Sequence, residues 1–279
     1  MSTFNLGIRA HDLVASTPAE LVTKLKTYQL KNIHFAPKKS FPNLVPDLSK
    51  LTEETARFLG DTFAKEEVKL SVLGCYVNIS SRDKKIRQQA VDQFKHHLQL
   101  AAAFHAPLVG TETGSVTQGY TVENFTEEAY VAARESVIEM VKTAENLQVM
   151  VGIEAGLNHP LYTSQLAKRL VEEVQSPNLR IIFDPANLMR PDNYLQQERV
   201  IAEALEDLQD VIEVVHLKDF QVIDNKIKIV PVGTGRMDYT EVLRFLKHQR
   251  PAMFASLEAT TEDHLPYALE VLRRHYDVL

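Results

Sequence analysis

The sequence holds a single cysteine, Cys75, so no intramolecular disulfide can staple the chain. Its apolar setting, Leu70-Ser71-Val72-Leu73-Gly74-Cys75-Tyr76, reads the thiol as a small hydrophobe in a reducing compartment. No apolar run approaches the roughly eighteen residues that would span a membrane. Met1-Ser2-Thr3-Phe4 lacks the basic and then apolar order of an export leader. The expectation is a soluble, cytoplasmic protein without a membrane partner. The net charge of -6 is mild and the basic residues form no stripe, which argues against a nucleic-acid partner and for a small substrate. There is no low-complexity tract or Ser/Gly linker, and no Gly-x-Gly-x-x-Gly follows the first strand, as an open dinucleotide-binding sheet would require.

A chain of 279 residues with 44% hydrophobic content can bury a large core. It fits one (β/α)8 TIM barrel, typically about 250 residues, better than two domains, so residues 1–279 read as one unit. Short β-like runs are predicted at Phe4 to Ile8, Ile33 to Ala36, Leu70 to Tyr76, Leu108 to Thr111, Val149 to Glu154, Ile181 to Asp184, Val211 to Leu217 and Met253 to Glu258. Segments of helical spacing separate and follow them: Pro18 to Gln29, Thr52 to Glu66, Lys84 to Phe104, Glu127 to Asn146, Leu161 to Val174, Glu198 to Leu208, Tyr239 to Lys247 and His264 to His275. Strand and helix alternate, and a parallel partner needs such a crossover. Ser16-Thr17-Pro18-Ala19-Glu20 and Leu51-Thr52-Glu53-Glu54-Thr55 carry helix-start chemistry. Pro37 to Pro46 and Gln221 to Asp238 are long connections that would shape a pocket.

Four of the predicted strands, the fifth to the eighth, carry at their carboxyl ends a side chain that could hold a metal ion: Glu154, Asp184, His216 and Glu258. Strand ends converge at one face of a barrel, so the four would share one space. Three carboxylates crowded there without a cation would repel one another and rise in pKa, whereas a divalent ion makes the arrangement favourable. Three oxygen donors and one nitrogen donor suit Mn²⁺ or Mg²⁺, with Co²⁺ or Zn²⁺ as further options. Each residue alone also reads as a solvated charge or a helix cap.

Other residues have two readings. His11 and Glu112, after the first strand and at the end of the fourth, are substrate contacts or ordinary surface groups. Asn158 and His159 read as a helix start. His96, His97, His105, His248, His264 and His275 fall on helical segments and receive no chemistry. Val230-Pro231-Val232-Gly233-Thr234-Gly235-Arg236-Met237-Asp238 is either a tight turn or an anion cradle, with Lys218 close by in sequence to His216.

Over nearly its full length the chain resembles the xylose isomerase-like barrel superfamily of sugar isomerases and epimerases. The order Glu154, Asp184, His216, Glu258 matches that family's metal ligands. His216-Leu217-Lys218-Asp219 followed by Gly233-Thr234-Gly235-Arg236-Met237-Asp238 resembles its phosphoketose 3-epimerase branch. Asn187 in Asp184-Pro185-Ala186-Asn187 stands where free-ketose 3-epimerases usually carry a substrate-contacting histidine, and Thr234 stands where many relatives have an acid.

The resemblance implies isomerisation or C3 epimerisation of a ketose or its phosphate. A metal ion would hold a carbonyl and a neighbouring hydroxyl, and an enediolate would form on proton loss. Glu154 and Glu258 would be the acid/base pair as well as ligands, Asp184 and His216 would be structural ligands, and Lys218 and Arg236 would contact a phosphate or hydroxyl. Asn187 would also face the substrate. A homodimer or homotetramer is the implied assembly. The alternatives are a metal-dependent dehydratase of a polyol or related acid, an abasic-site endonuclease, and a non-catalytic sugar-binding barrel. The endonuclease would need more metal-binding histidines and a basic face; the intact glutamate pair argues against the last.

Overall fold

In the computed structural model, which describes residues 4–279, parallel strands wind into a closed barrel. Met1-Ser2-Thr3, part of the leader reading above, lie outside the described residues. The chain runs β1 (Leu6–Arg9), α1 (Pro18–Thr27), β2 (Asn32–Phe35), α2 (Pro37–Ser40), α3 (Glu53–Lys65), β3 (Lys69–Gly74), α4 (Lys84–Leu100), β4 (Leu108–Glu112) and α5 (Glu127–Leu147). It continues with β5 (Met150–Glu154), α6 (Ser164–Val174), β6 (Leu179–Phe183), α7 (Gln197–Leu208), β7 (Ile212–Leu217), β8 (Asp219–Ile223), β9 (Lys226–Val230), α8 (Thr240–Arg244), β10 (Phe254–Leu257) and α9 (Leu265–Val278). The barrel order is β1-β10-β7-β6-β5-β4-β3-β2, closed by the pairing of β1 with both β10 and β2. Closure rules out the open doubly wound sheet, leaving a single-domain (β/α)8 barrel.

Local chemistry starts the helices where the sequence signals them. Thr17 caps α1 by accepting from Glu20 N at 3.2 Å, and the Glu20 carboxylate accepts from Ser16 N at 2.8 Å. This is a variant of the capping box reaching one residue further back, with Pro18 in the first turn. Thr52 caps α3 through Thr55 N. The apolar faces of the helices bury against the outside of the strands in one continuous core. A separate small cluster, Val72, Leu108, Ile182 and Val214, fills the barrel interior. Gly110 and Gly152 sit opposite each other on β4 and β5 because that interior is full. A Cβ on Gly110 would lie 2.6 Å from both Ile182 and Val72.

Two segments differ from the sequence expectation. The connection from 221 to 238 is not irregular throughout: β8 and β9 form an antiparallel hairpin. Its turn residues Asp224 and Asn225 take φ of 50° and 55°, the left-handed pair that a two-residue hairpin turn demands. The predicted helix from Tyr239 to Lys247 is helical but irregular, because α8 gives way to a π turn over Phe245–Gln249. No described helix is long and apolar enough to cross a membrane.

Candidate metal centre

Each of the four donors is placed by a strand end. Glu154 closes β5, Asp184 follows β6, His216 lies near the end of β7, and Glu258 follows β10 with its N–H donated to Leu217 O at 3.1 Å. All four are buried, and one donor atom from each lies within 4.8 Å of the others. Asp184 is further fixed by Oδ1, which accepts from Ala186 N at 3.0 Å and leaves Oδ2 to face inward.

Whether the donor set fits a cation can be tested on three atoms. Asp184 Oδ2, His216 Nδ1 and Glu258 Oε2 are buried and make no hydrogen bond of good geometry. The oxygens meet the Lys218 ammonium and the nitrogen meets the two glutamates, so all three atoms face one shared space where a cation could take the place of those ion pairs. His216 Nδ1 lies 3.1 Å from Glu154 Oε2 and 3.3 Å from Glu258 Oε2. On its other edge His216 Nε2 is 3.1 Å from His34 Nδ1, the kind of outer contact that orients a metal-binding imidazole. The oxygen-rich set with one imidazole fits a hard or borderline divalent ion.

Lys218 enters this cluster directly. Its Nζ lies 2.6 Å from Glu258 Oε2, 2.8 Å from Asp184 Oδ2 and 3.3 Å from Glu154 Oε1, within ion-pair range of all three carboxylates. The expectation that every carboxylate rises therefore needs correction. Burial, helped by Glu154 and Glu258, pushes Asp184 up to about 6. For Glu154 and Glu258 burial also acts upward, but Lys218 and His216 more than offset it and both stay below the ordinary carboxylate value. Burial would depress His216, yet the two glutamates raise it to about 10. An ammonium and an imidazolium thus offset two of the three buried negative charges, and a metal ligand role requires that imidazolium proton to leave.

The two glutamates are braced from opposite sides through their Oε1 atoms. Asn187 Nδ2 donates to Glu154 Oε1 at 2.7 Å and to Ala155 O at 3.1 Å. Arg9 donates to Glu258 Oε1 and is held in turn by Asp12, at 2.8 and 3.1 Å. Arg9, His34 and Tyr76, whose hydroxyl is 3.3 Å from His34 Nε2, were not singled out in the sequence. Their only signal is position at or just past the ends of β1, β2 and β3.

The remaining sequence candidates separate. His11 is half-buried in a turn after β1, edge-on to Tyr76 at 6.2 Å, and burial with Arg9 and Lys39 holds it down at about 3. Glu112 ends β4 in register with Glu154, and burial and then the Glu154 charge push it up to about 7. Asn158 and His159 do not start a helix, since they lie in the turn after β5 and α6 begins at Ser164 with Thr163 as its cap, so His159 has another role. Its Nδ1 accepts from Gly114 N at 2.9 Å, and Nε2 lies 3.1 Å from Tyr120 Oη.

Arg236 is exposed, with its guanidinium 5.9 Å from the centre of the Tyr194 ring. The glycine loop is a folded turn whose amides are already engaged. Asp219 accepts from Phe220 N at 2.8 Å and from Gly233, Gly235 and Met237 N at 2.9 Å each. Those amides are not available to an outside anion, which corrects the cradle reading.

With the barrel and its buried donors in place, the sequence comparison is decisive: the profile of the xylose isomerase-like TIM barrel family matches residues 23–275. The chain belongs to that family. No curated protein matches the chain in sequence. Among solved structures, a D-tagatose 3-epimerase-like protein is similar at 20% identity and TM-score 0.76, covering 99% of this chain and 98% of its own. D-psicose 3-epimerase with D-tagatose from Clostridium cellulolyticum H10 is 16% identical, TM-score 0.73, covering 99% of each chain. An IOLI protein binding a zinc atom is 16% identical, TM-score 0.72, covering 99% and 96%. At these identities the likeness establishes the fold.

Proposed function

We propose that the protein is a divalent-metal-dependent isomerase or epimerase of a ketose or ketose phosphate, moving a proton at carbon through Glu154 and Glu258. The observation that carries this reading is the inward pairing of the two glutamates. Each spends Oε1 on a separate brace and turns Oε2 towards His216 Nδ1, at 3.1 and 3.3 Å. Two carboxylates converging on one space from different strands are what removal of a proton on one face and its return on the other require.

An ion held by Glu154, Asp184, His216 and Glu258, with Mn²⁺ or Mg²⁺ best suited and Co²⁺ or Zn²⁺ also compatible, would supply Lewis-acid stabilisation of the developing oxyanion. The protein's own groups do the rest. Asn187 fixes the plane of Glu154, while Arg9 and Asp12 fix that of Glu258. Lys218, among the carboxylates, can donate to a substrate oxygen once the cluster accepts another cation. The IOLI neighbour binds zinc and the D-psicose 3-epimerase neighbour was solved with D-tagatose, which supports the ligand classes without fixing them for this chain.

The test is deuterium exchange at C3 of free and phosphorylated ketoses in D₂O with added Mn²⁺, followed by NMR. Metal-dependent exchange that disappears in Glu154→Gln and Glu258→Gln is expected. Absence of exchange across the panel would overturn the reading, and product analysis on cyclic polyols would then examine elimination of water.

A further inference from the structure

Beside the glutamate pair, the end of β4 faces a cleft of about 330 Å³ whose wall has no part in the proton transfer. Tyr76, Asn78, Thr111, Glu112, Tyr120 and His159 contribute to it. The Gly114 N–H donated to His159 Nδ1 fixes that nitrogen as an acceptor, so the neutral ring carries its proton on Nε2. Burial keeps the ring neutral, holding it down at about 4. That Nε2–H edge lies 3.1 Å from Tyr120 Oη and 3.7 Å from Glu112 Oε1. One wall therefore presents an acceptor, a donor and a hydroxyl that can act as either. Adjacent sugar hydroxyls need that mixture, since each donates once and accepts twice.

Charge argues in the same direction. Among the described residues lining the cleft there is neither lysine nor arginine. Lys218 belongs to the carboxylate cluster and does not line the cleft, the glycine-loop amides are taken by Asp219, and the Lys39 ammonium lies over the Tyr76 ring, 3.7 Å from its centre. A phosphate set against Glu112 would pay desolvation and would either repel the carboxylate or force it, already raised to about 7, to hold its proton, with no guanidinium or ammonium lining the cleft to offset the cost.

We propose that this cleft is the subsite for the hydroxyl-bearing chain of an uncharged sugar, with Glu112 as the residue that selects a hydroxyl pair and rejects a phosphate. The inference rests on the reading of the neighbouring cluster as a sugar site and names its substrate class.

Titration calorimetry on the metal-loaded protein tests it, using D-fructose, D-tagatose and D-psicose, each against its own 6-phosphate. At least one free sugar is expected to bind about tenfold more tightly than its phosphate. Glu112→Gln should narrow that ratio, and Tyr120→Phe should weaken the free sugar, with circular dichroism showing both variants folded. Tighter binding of a phosphate, abolished by Lys39→Ala, would overturn the inference. So would binding indifferent to Glu112, or no binding by any of the six compounds. The two readings fail separately. Deuterium exchange confined to phosphates would sink this inference and leave the proton transfer standing, whereas Glu112-dependent binding without exchange would do the reverse.

Discussion

The two ends of the barrel are built from the same strands and differ in what they bury. At the amino ends, a groove of about 770 Å³ is lined mainly by apolar side chains, among them Val68, Leu70, Phe104, Pro107 and Phe254. At the carboxyl ends, the cleft beside the cluster is less than half that volume, yet next to it lie three buried carboxylates, an imidazole and an ammonium. Burying such charges costs several kcal/mol each unless they are paired, and hydrophobic packing elsewhere has to carry that cost. Volume alone does not locate chemistry; titratable groups crowded into a confined space, with their pKa values displaced, do.

The comparison can be broken at its strongest point first. Glu258→Gln should lower metal-dependent exchange by about 10³-fold while leaving the circular dichroism spectrum unchanged. Near-wild-type exchange would remove Glu258 from the chemistry. Lys218→Met should destabilise the metal-free protein by about 3–5 kcal/mol, because three buried carboxylates lose their ammonium, and a divalent ion should restore most of it. Melting curves with chelator and with Mn²⁺ measure this, and equal losses in both would mean that Lys218 only packs.

At the other end, Leu70→Ala should cost about 2–5 kcal/mol of stability and leave exchange at saturating sugar unchanged. A loss of exchange there would show that the two ends are not separable.

The smallest effect lies on the helical surface. Glu173, hydrogen-bonded by Arg134, Arg169 and Tyr130, is held down at about 2. A depressed carboxyl stabilises above its unfolded value and loses that contribution as pH falls through its folded value. Glu173→Gln should therefore lower stability by about 0–1 kcal/mol at neutral pH, an exposed network being screened. The gap to wild type should close as pH drops from about 4.5 towards 2. A gap constant over that range would assign the effect to packing.

Much of this architecture is legible in the chain because strand and helix periods are local. The apolar runs ending in Glu154, Asp184, His216 and Glu258 stand out without knowledge of what lies beside them. The residues that were missed become site residues only through closure. Arg9 meets Glu258 across 249 positions, and His34 meets His216 across 182, because closure sets β1 beside β10 and β2 one strand further round. Lys218 was visible as a neighbour two positions past His216, on the same face. That it would sit among the ligands depends on three other strand ends. The glycine loop misled for a related reason: its amides look free until Asp219 is placed beneath them. The hairpin turn at Asp224-Asn225 was missed although its signal is local, a turn pair between alternating apolar residues within a stretch that reads as one long connection.

The central claim is that four strand ends build one divalent-metal site, and calorimetric titration of chelator-treated protein with Mn²⁺ tests it most directly. One ion per chain is expected, with affinity weakened at least about 100-fold in Asp184→Asn and in His216→Ala. Binding at the same stoichiometry and strength in both variants would contradict it.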